Sequence, residues 1–247
     1  MMKQDDERLS GMFAASQPDD RSPVPHTAAR RLQDMIRSGE LPPASRLPSQ
    51  RELARQLGLS RASLREALNM LETLGMVRTY PARGTFVSDD ARDASSSLGR
   101  WRFQGVHAIA DVFQSRILIE GELARLAAMQ IGQEAIDALI RANEDFERFW
   151  HEGDLVSHVD ADLAFHNRIA EACPNLMLRE IYLSLREMLA ETQRQPVPVT
   201  APARMAESIA EHRTIISALS DSDPSAARTA IQRHIANTAK AAGLSVA

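Results

Sequence analysis

The sequence predicts a mainly α-helical protein in two parts, a small helical module carrying a β-hairpin followed by an all-α helical bundle. Three observations lead there. A basic block precedes an acidic body: residues 25–88 hold ten arginines against five acids, a net of +5, whereas residues 89–247 carry a net of −7. Inside the basic block, short runs of helical periodicity give way to β-branched and aromatic residues on either side of Pro81-Ala82-Arg83-Gly84. Beyond residue 105 the periodicity stays helical, with no convincing strand. The 247 residues, 44% of them hydrophobic, suffice for two packed cores. No apolar run approaches the roughly 20 residues of a membrane span. The single cysteine, Cys173, excludes a disulfide framework and any multi-cysteine zinc site. Acids in MMKQDDERLS, where a secretory signal needs an apolar stretch, point to the cytoplasm.

Residues 1–24 are polar, contain Pro18 and Pro23, and read as a disordered tail. From His26 to Ser38, Ala29, Leu32, Met35 and Ile36 recur at helical spacing, and Gly39 fits the stop. LPPASRLP is a turn-rich link. Ser49 then caps a helix with Glu52 at its third position, burying Leu53 and Leu57. Gly58-Leu59 turns the chain into a second helix that is capped by Ser60, buries Leu64, Leu68 and Leu71, and stops at Gly75. MVRTYPARGTFV (76–87) closes the module as a hairpin. Helix, helix, tight turn, helix, hairpin is the order of a winged helix-turn-helix, here assigned to residues 25–88. Residues 89–105, with a serine run, read as a linker. Helical patterns follow at about 107–130, 133–152, 154–172, 176–194, 204–219 and 224–242, so residues 106–247 form the bundle. Met177, Leu178, Ile181, Leu185, Met188 and Leu189 have the spacing of a core-facing stripe.

Basic residues of the first module fit double-stranded DNA. Arg61 and Arg65, four apart near the start of the second helix of the motif, share the face that enters a major groove. A guanidinium fork pairs with guanine O6 and N7 there. Arg51, Ser60 and Ser63 stand where phosphates pass, and Gly84 at the wing tip lets the backbone approach the minor groove. The alternative is that Arg61 and Arg65 are solvated surface charges. The run GELPPASRLPSQRELARQLGLSRASLREALNMLETLGMVRTYPARGTFV resembles the DNA-binding domain of the GntR family of bacterial transcription regulators. Gln50 stands where that family usually has Glu.

In the acidic body, Asp162 and His166 are four apart and face the same way on a helix. His212 and His234 lie in the last two helices, which the DSDP link folds back on each other. Counted from that turn, their heights differ by only about 5 Å. One carboxylate and three imidazoles suit Zn²⁺ or another divalent transition metal, Ni or Mn included, with positions left for water or ligand. The same spacing also fits satisfied or surface histidines. His158, four before Asp162, is the fallback ligand; otherwise it, His26, His107 and His151 read as surface residues.

The stretch from about 107 to 242 is similar to the all-helical FCD effector domain of FadR-type GntR regulators, through SRILIEGELARLAA, DLAFH, the Pro174-Asn175 pair, EHRTII and QRHI. That resemblance implies Asp162, His166, His212 and His234 as metal ligands. It also implies that Arg116 clamps the carboxylate of a small acid, although Arg116 paired structurally with Glu120 or Glu122 is the competing role. Asn175 is a weaker pocket candidate. The expected protein is a homodimeric, ligand-responsive transcription regulator on a palindromic operator, a repressor released by a small carboxylic acid. The rival is a metal-dependent hydrolytic enzyme with a DNA-binding-like appendage, its open metal activating water and Glu120 as the only general base to propose.

Overall fold

The computed structural model describes residues 24–89, 101, 103 and 105–246 and holds ten α-helices and one two-stranded sheet among them. The expected tail up to residue 23 and most of the expected linker lie outside the described residues. The chain divides into two compact units between Asp93 and Ala94.

In the first unit, α1 (Val24–Arg37), α2 (Gln50–Leu57) and α3 (Arg61–Thr73) precede strands β1 (Val77–Tyr80) and β2 (Gly84–Val87). Helix starts and stops follow local chemistry. Ser49 accepts a hydrogen bond from the Glu52 amide, and Ser60 accepts one from the Ser63 amide, so each serine satisfies a donor the first turn leaves open. Gly58 ends α2 in the left-handed conformation (φ 68°), which costs a glycine nothing. Ala29, Leu32, Leu53, Leu64, Ala67 and Leu71 are wholly buried and knit the three helices together. Each such leucine contributes roughly 1.5–3 kcal/mol of transfer free energy. The hairpin pairs Val77 with Val87 and Tyr80 with Gly84. The link before α2 does more than turn. Its Leu47 amide donates to the Thr85 carbonyl, and Val87 donates to the Ser45 carbonyl, so residues 45–47 edge the hairpin.

The second unit holds α4 (Ile109–Ala127), α5 (Gln133–Glu152), α6 (Leu155–Ala172), α7 (Leu176–Ser184), α8 (Arg186–Arg194), a 3-10 turn (Val197–Val199), α9 (Pro202–Ser220) and α10 (Pro224–Ala241). Phe113, Leu139, Phe165, Ile169, Ile215, Leu219, Ile231 and Ile235 form its main core. Helices α4 and α10 lie close along each other, where Gly121 leaves room for the Gln232 side chain, whose amide donates to the Ile117 carbonyl. Asp223 caps α10 through two backbone amides, and that short link returns the chain alongside α9.

One expected helix is two. The pattern over 176–194 breaks at Leu185, whose amide bonds back to the Tyr182 carbonyl three residues before it, while the Ser184 hydroxyl donates to the Ile181 carbonyl. Across that break the apolar stripe does not continue in phase. Met177 and Ile181, expected in the core, are exposed. Helix α8 instead buries every residue from Leu189 to Arg194, polar ones included, because it is wedged against α4 and α6.

Candidate functional site

In the second unit, α6, α9 and α10 bring Asp162, His166, His212 and His234 together, one possible ligand atom from each lying within 4.8 Å of all the others. His212 Nε2 is 3.3 Å from His234 Nε2 and 3.4 Å from Asp162 Oδ1, and His166 Nε2 is 3.7 Å from the same oxygen. A divalent cation bound at about 2.0–2.2 Å sets its ligands roughly 3–3.5 Å apart, which these spacings approach. The expected fallback, His158, is not part of the cluster. It is buried rather than at the surface, stacked on Phe146, with Nδ1 turned 2.8 Å from the Phe146 carbonyl.

The outer nitrogens of the cluster explain why the inner ones converge. His212 Nδ1 donates to Asn143 Oδ1 (3.1 Å), and its ring stacks on Phe165 at 4.1 Å. His234 Nδ1 donates to Glu211 Oε2 (2.9 Å). Glu211 is itself fixed by Asn237 (2.6 Å) and by both guanidinium ends of Arg204 (3.2 and 2.8 Å). His166 Nδ1 abuts Glu120 Oε2 at 2.6 Å, out of line for a good hydrogen bond. With Nδ1 protonated on His212 and His234, both Nε2 atoms present lone pairs to each other, an arrangement a cation relieves. His166 Nε2 and Asp162 Oδ1 are buried without a hydrogen-bond partner. The donor set therefore fits a divalent transition metal.

Electrostatics favour the neutral imidazole at two of the four clustered residues, His212 and His234. Burial, aided by the neighbouring histidines, holds His212 well below the ordinary imidazole range. Burial also lowers His234, against the pull of Glu211. Burial would raise the Glu211 carboxyl, but hydrogen bonds from His234, Arg204 and Asn237 bring it to about 2. Glu120 is likewise opposed by burial and brought to about 2 by Arg116 and His166.

A cavity reaches the cluster at Asp162 and His234 and continues past His158, Gln193 and Arg204. Its free volume of ≈ 40 Å³ holds about three water-sized groups. Arg116 does not line it. Its Nε donates to Glu120 Oε1 (2.7 Å) and its Nη1 to Thr192 Oγ1 (3.0 Å), so of its two expected roles the structure displays the ion pair with Glu120. The guanidinium at the cavity belongs to Arg204, which sequence reading missed. Asn175 is also away from the cavity; it is exposed, and its Oδ1 caps α7 through the Leu178 amide at 3.1 Å. A Pro-Asn start is the ordinary signal of such a cap.

In the first unit, Arg61 and Arg65 project from one exposed face of α3, and Arg51 is exposed on α2. Ser60 spends its hydroxyl oxygen on the cap and lies 2.8 Å from the Ser63 hydroxyl. Gly84 opens β2 at φ +107°, where a Cβ would sit 3.0 Å from Arg46 Nε, so the backbone there requires glycine before any DNA is considered. Arg46 and Arg83, both exposed beside it, extend the basic face and were not singled out from the sequence.

Residues 26–87 match the bacterial regulatory proteins of the gntR family, and residues 111–237 match the FCD domain. The chain is 29% identical to the Uxu operon transcriptional regulator of Escherichia coli K12, over 83% of this chain and 81% of that one. It is 28% identical to the Glc operon transcriptional activator of the same strain, covering 90% of each. To the transcriptional repressor NanR of Klebsiella aerogenes it is also 28% identical, covering 94% of this chain and 90% of the relative. These relatives are regulators and not enzymes, so the hydrolase alternative falls. A gntR-type winged helix-turn-helix ahead of an FCD domain makes this chain a member of the GntR family of transcription regulators.

Proposed function

We propose that the protein is a metal-dependent, acid-responsive repressor. Bound as a homodimer to a palindromic operator in the cytoplasm, it releases DNA when a small carboxylic acid enters the cavity of the helical domain. One observation carries the reading: Asp162, His166, His212 and His234 converge, with Nδ1 of His212 and His234 tied outward, and a cavity reaches the cluster at Asp162 and His234. Those four residues would hold Zn²⁺, with Ni or Mn as alternatives, and the metal would supply a Lewis-acid site for a carboxylate. Arg116 supports the centre by holding Glu120 against His166. No described helix is long and apolar enough to cross a membrane, in keeping with a DNA-bound protein.

On the DNA side, Arg61 and Arg65 read bases while Arg51, Ser60, Ser63 and the wing at Gly84 position the module on phosphates and the minor groove. An effector shifts the operator equilibrium only through its different affinity for the two states. A gel shift with metal-loaded protein and operator DNA tests the reading: an effective acid should release the complex, and chelation should abolish its effect. A complex that every small acid leaves intact, or tightens, would overturn the repressor assignment.

A further inference from the structure

Two guanidinium groups stand beside the hairpin tip with no acid to neutralise them. Arg46 and Arg83 are exposed, and neither side chain has a hydrogen bond or ion pair among the described residues. Arg37 and Arg55 of the same module are paired with Asp34 and Glu52. Both free groups are nonetheless held in place. Arg46 bridges Phe86 along the edge of the hairpin, and its guanidinium lies across Gly84, with Nε 3.0 Å and Nη2 3.3 Å from where a Cβ would stand. Arg83 sits over the Tyr80 ring at 5.3 Å and the Phe86 ring at 6.0 Å, two rings that meet edge to face at 5.8 Å. An aromatic face attracts a guanidinium while leaving its N–H edge available to another partner. The tip is also slim, because Gly84 brings no side chain to it, and a slim cationic tip suits a groove about 6 Å wide.

We propose that Arg46 and Arg83 make the wing a reader of sequence, selecting A·T pairs in the minor groove beside the bases that α3 meets. The inference rests on the DNA reading above and deepens it, adding a preference outside the pairs that Arg61 and Arg65 reach. Hydrogen-bond chemistry decides which bases are chosen. A guanidinium can only donate. An A·T pair presents only acceptors in the minor groove, adenine N3 and thymine O2, whereas a G·C pair adds the N2 amino group of guanine, which meets the guanidinium donor to donor. Runs of A·T also narrow the groove and strengthen its negative potential, which draws arginine in. A phosphate contact would be indifferent to all of this, since it carries no sequence information.

The test is selection of preferred sites from a pool of random duplexes by the full-length protein, followed by affinity measurements on a selected site. The selected sites should carry A·T pairs beside their core motif. Rebuilding those flanks with G·C pairs should weaken binding by about fivefold or more. Flanks of inosine·cytosine, which match G·C in the major groove but lack the N2 amino group, should bind within about twofold of the A·T flanks. Arg46→Ala and Arg83→Ala should each lower the preference for A·T over G·C flanks, and the double variant should bring it to within about twofold of unity with the core motif unchanged. The inosine comparison uses the unaltered protein and decides even where a variant does not fold. Selected sites with flanks of random composition, inosine flanks as weak as G·C, or a flank preference that survives in the double variant overturns the inference and leaves the wing a phosphate support. A pool that yields no enriched sequence brings down the DNA reading together with it.

Discussion

His212 is buried completely, yet none of its polar atoms is idle: Nδ1 is given to Asn143, Nε2 faces His234 and Asp162, and the ring lies on Phe165. His212→Ala should therefore lower the metal content of the purified protein, read by elemental analysis; full stoichiometric metal after chelation and reloading would remove His212 from the centre. The four clustered residues were legible from Asp and His at helical spacing together with the resemblance to the FCD domain. Their orienting partners were not: Asn143 is 69 residues from His212, and Glu211 is 23 from His234, separations that only the tertiary fold closes. Arg116 shows the converse limit. Sequence reading supplied both of its roles, and the structure displays the pairing with Glu120 at 2.7 Å. On the DNA side, Arg65→Ala should cost about 1–3 kcal/mol on the operator and relax base preference. Equal losses on operator and scrambled DNA in a gel shift would make Arg65 a backbone contact instead.

Elements with a strong local stop were read to within a few residues. Ser49, Ser60, Gly58, Gly153 and Asp223 each sit at a helix end where capping chemistry put them. The Gly58 cap makes a clean test, since nothing lies within 4 Å of where its Cβ would be. Gly58→Ala should destabilise the first unit by about 1–2 kcal/mol through the left-handed backbone alone, seen as an earlier urea transition by circular dichroism. An unchanged transition would mean the turn relaxes to a right-handed form. The break at Leu185 had no such signal, because neither glycine nor proline marks it. On one unbroken helix Met177, Ile181 and Leu189 would share one stripe; with the break, Leu189 is buried and the other two are exposed. The burial of Thr192 and Gln193 was equally hidden, since polar residues on a short helix ordinarily read as surface.

Across the whole molecule, the division of charge is the feature that survives from composition to function. A net of +5 over residues 25–88 ahead of an acidic body is the electrostatic footprint of a DNA-binding module joined to a domain with other work. Operator affinity should consequently fall steeply as salt rises, because each neutralised phosphate releases counterions. A flat response between low and physiological salt would detach the basic face from DNA binding. The charge division also explains why fold class came more easily than ligand identity. Helical periodicity and net charge are summed over many residues, whereas the cavity depends on where a few side chains such as Arg204, His158 and Gln193 are carried by the packing of α5, α6, α8 and α9. The central claim is that this cavity and the Asp/His₃ cluster form one metal-assisted acid site. The direct measurement is the thermal unfolding midpoint of the protein, metal-loaded and chelated, across a panel of small carboxylic acids. An acid that binds the folded state raises the midpoint by mass action. The account predicts such a rise for at least one acid with metal present and its disappearance on chelation; a rise that is indifferent to chelation, or none across the panel, would contradict it.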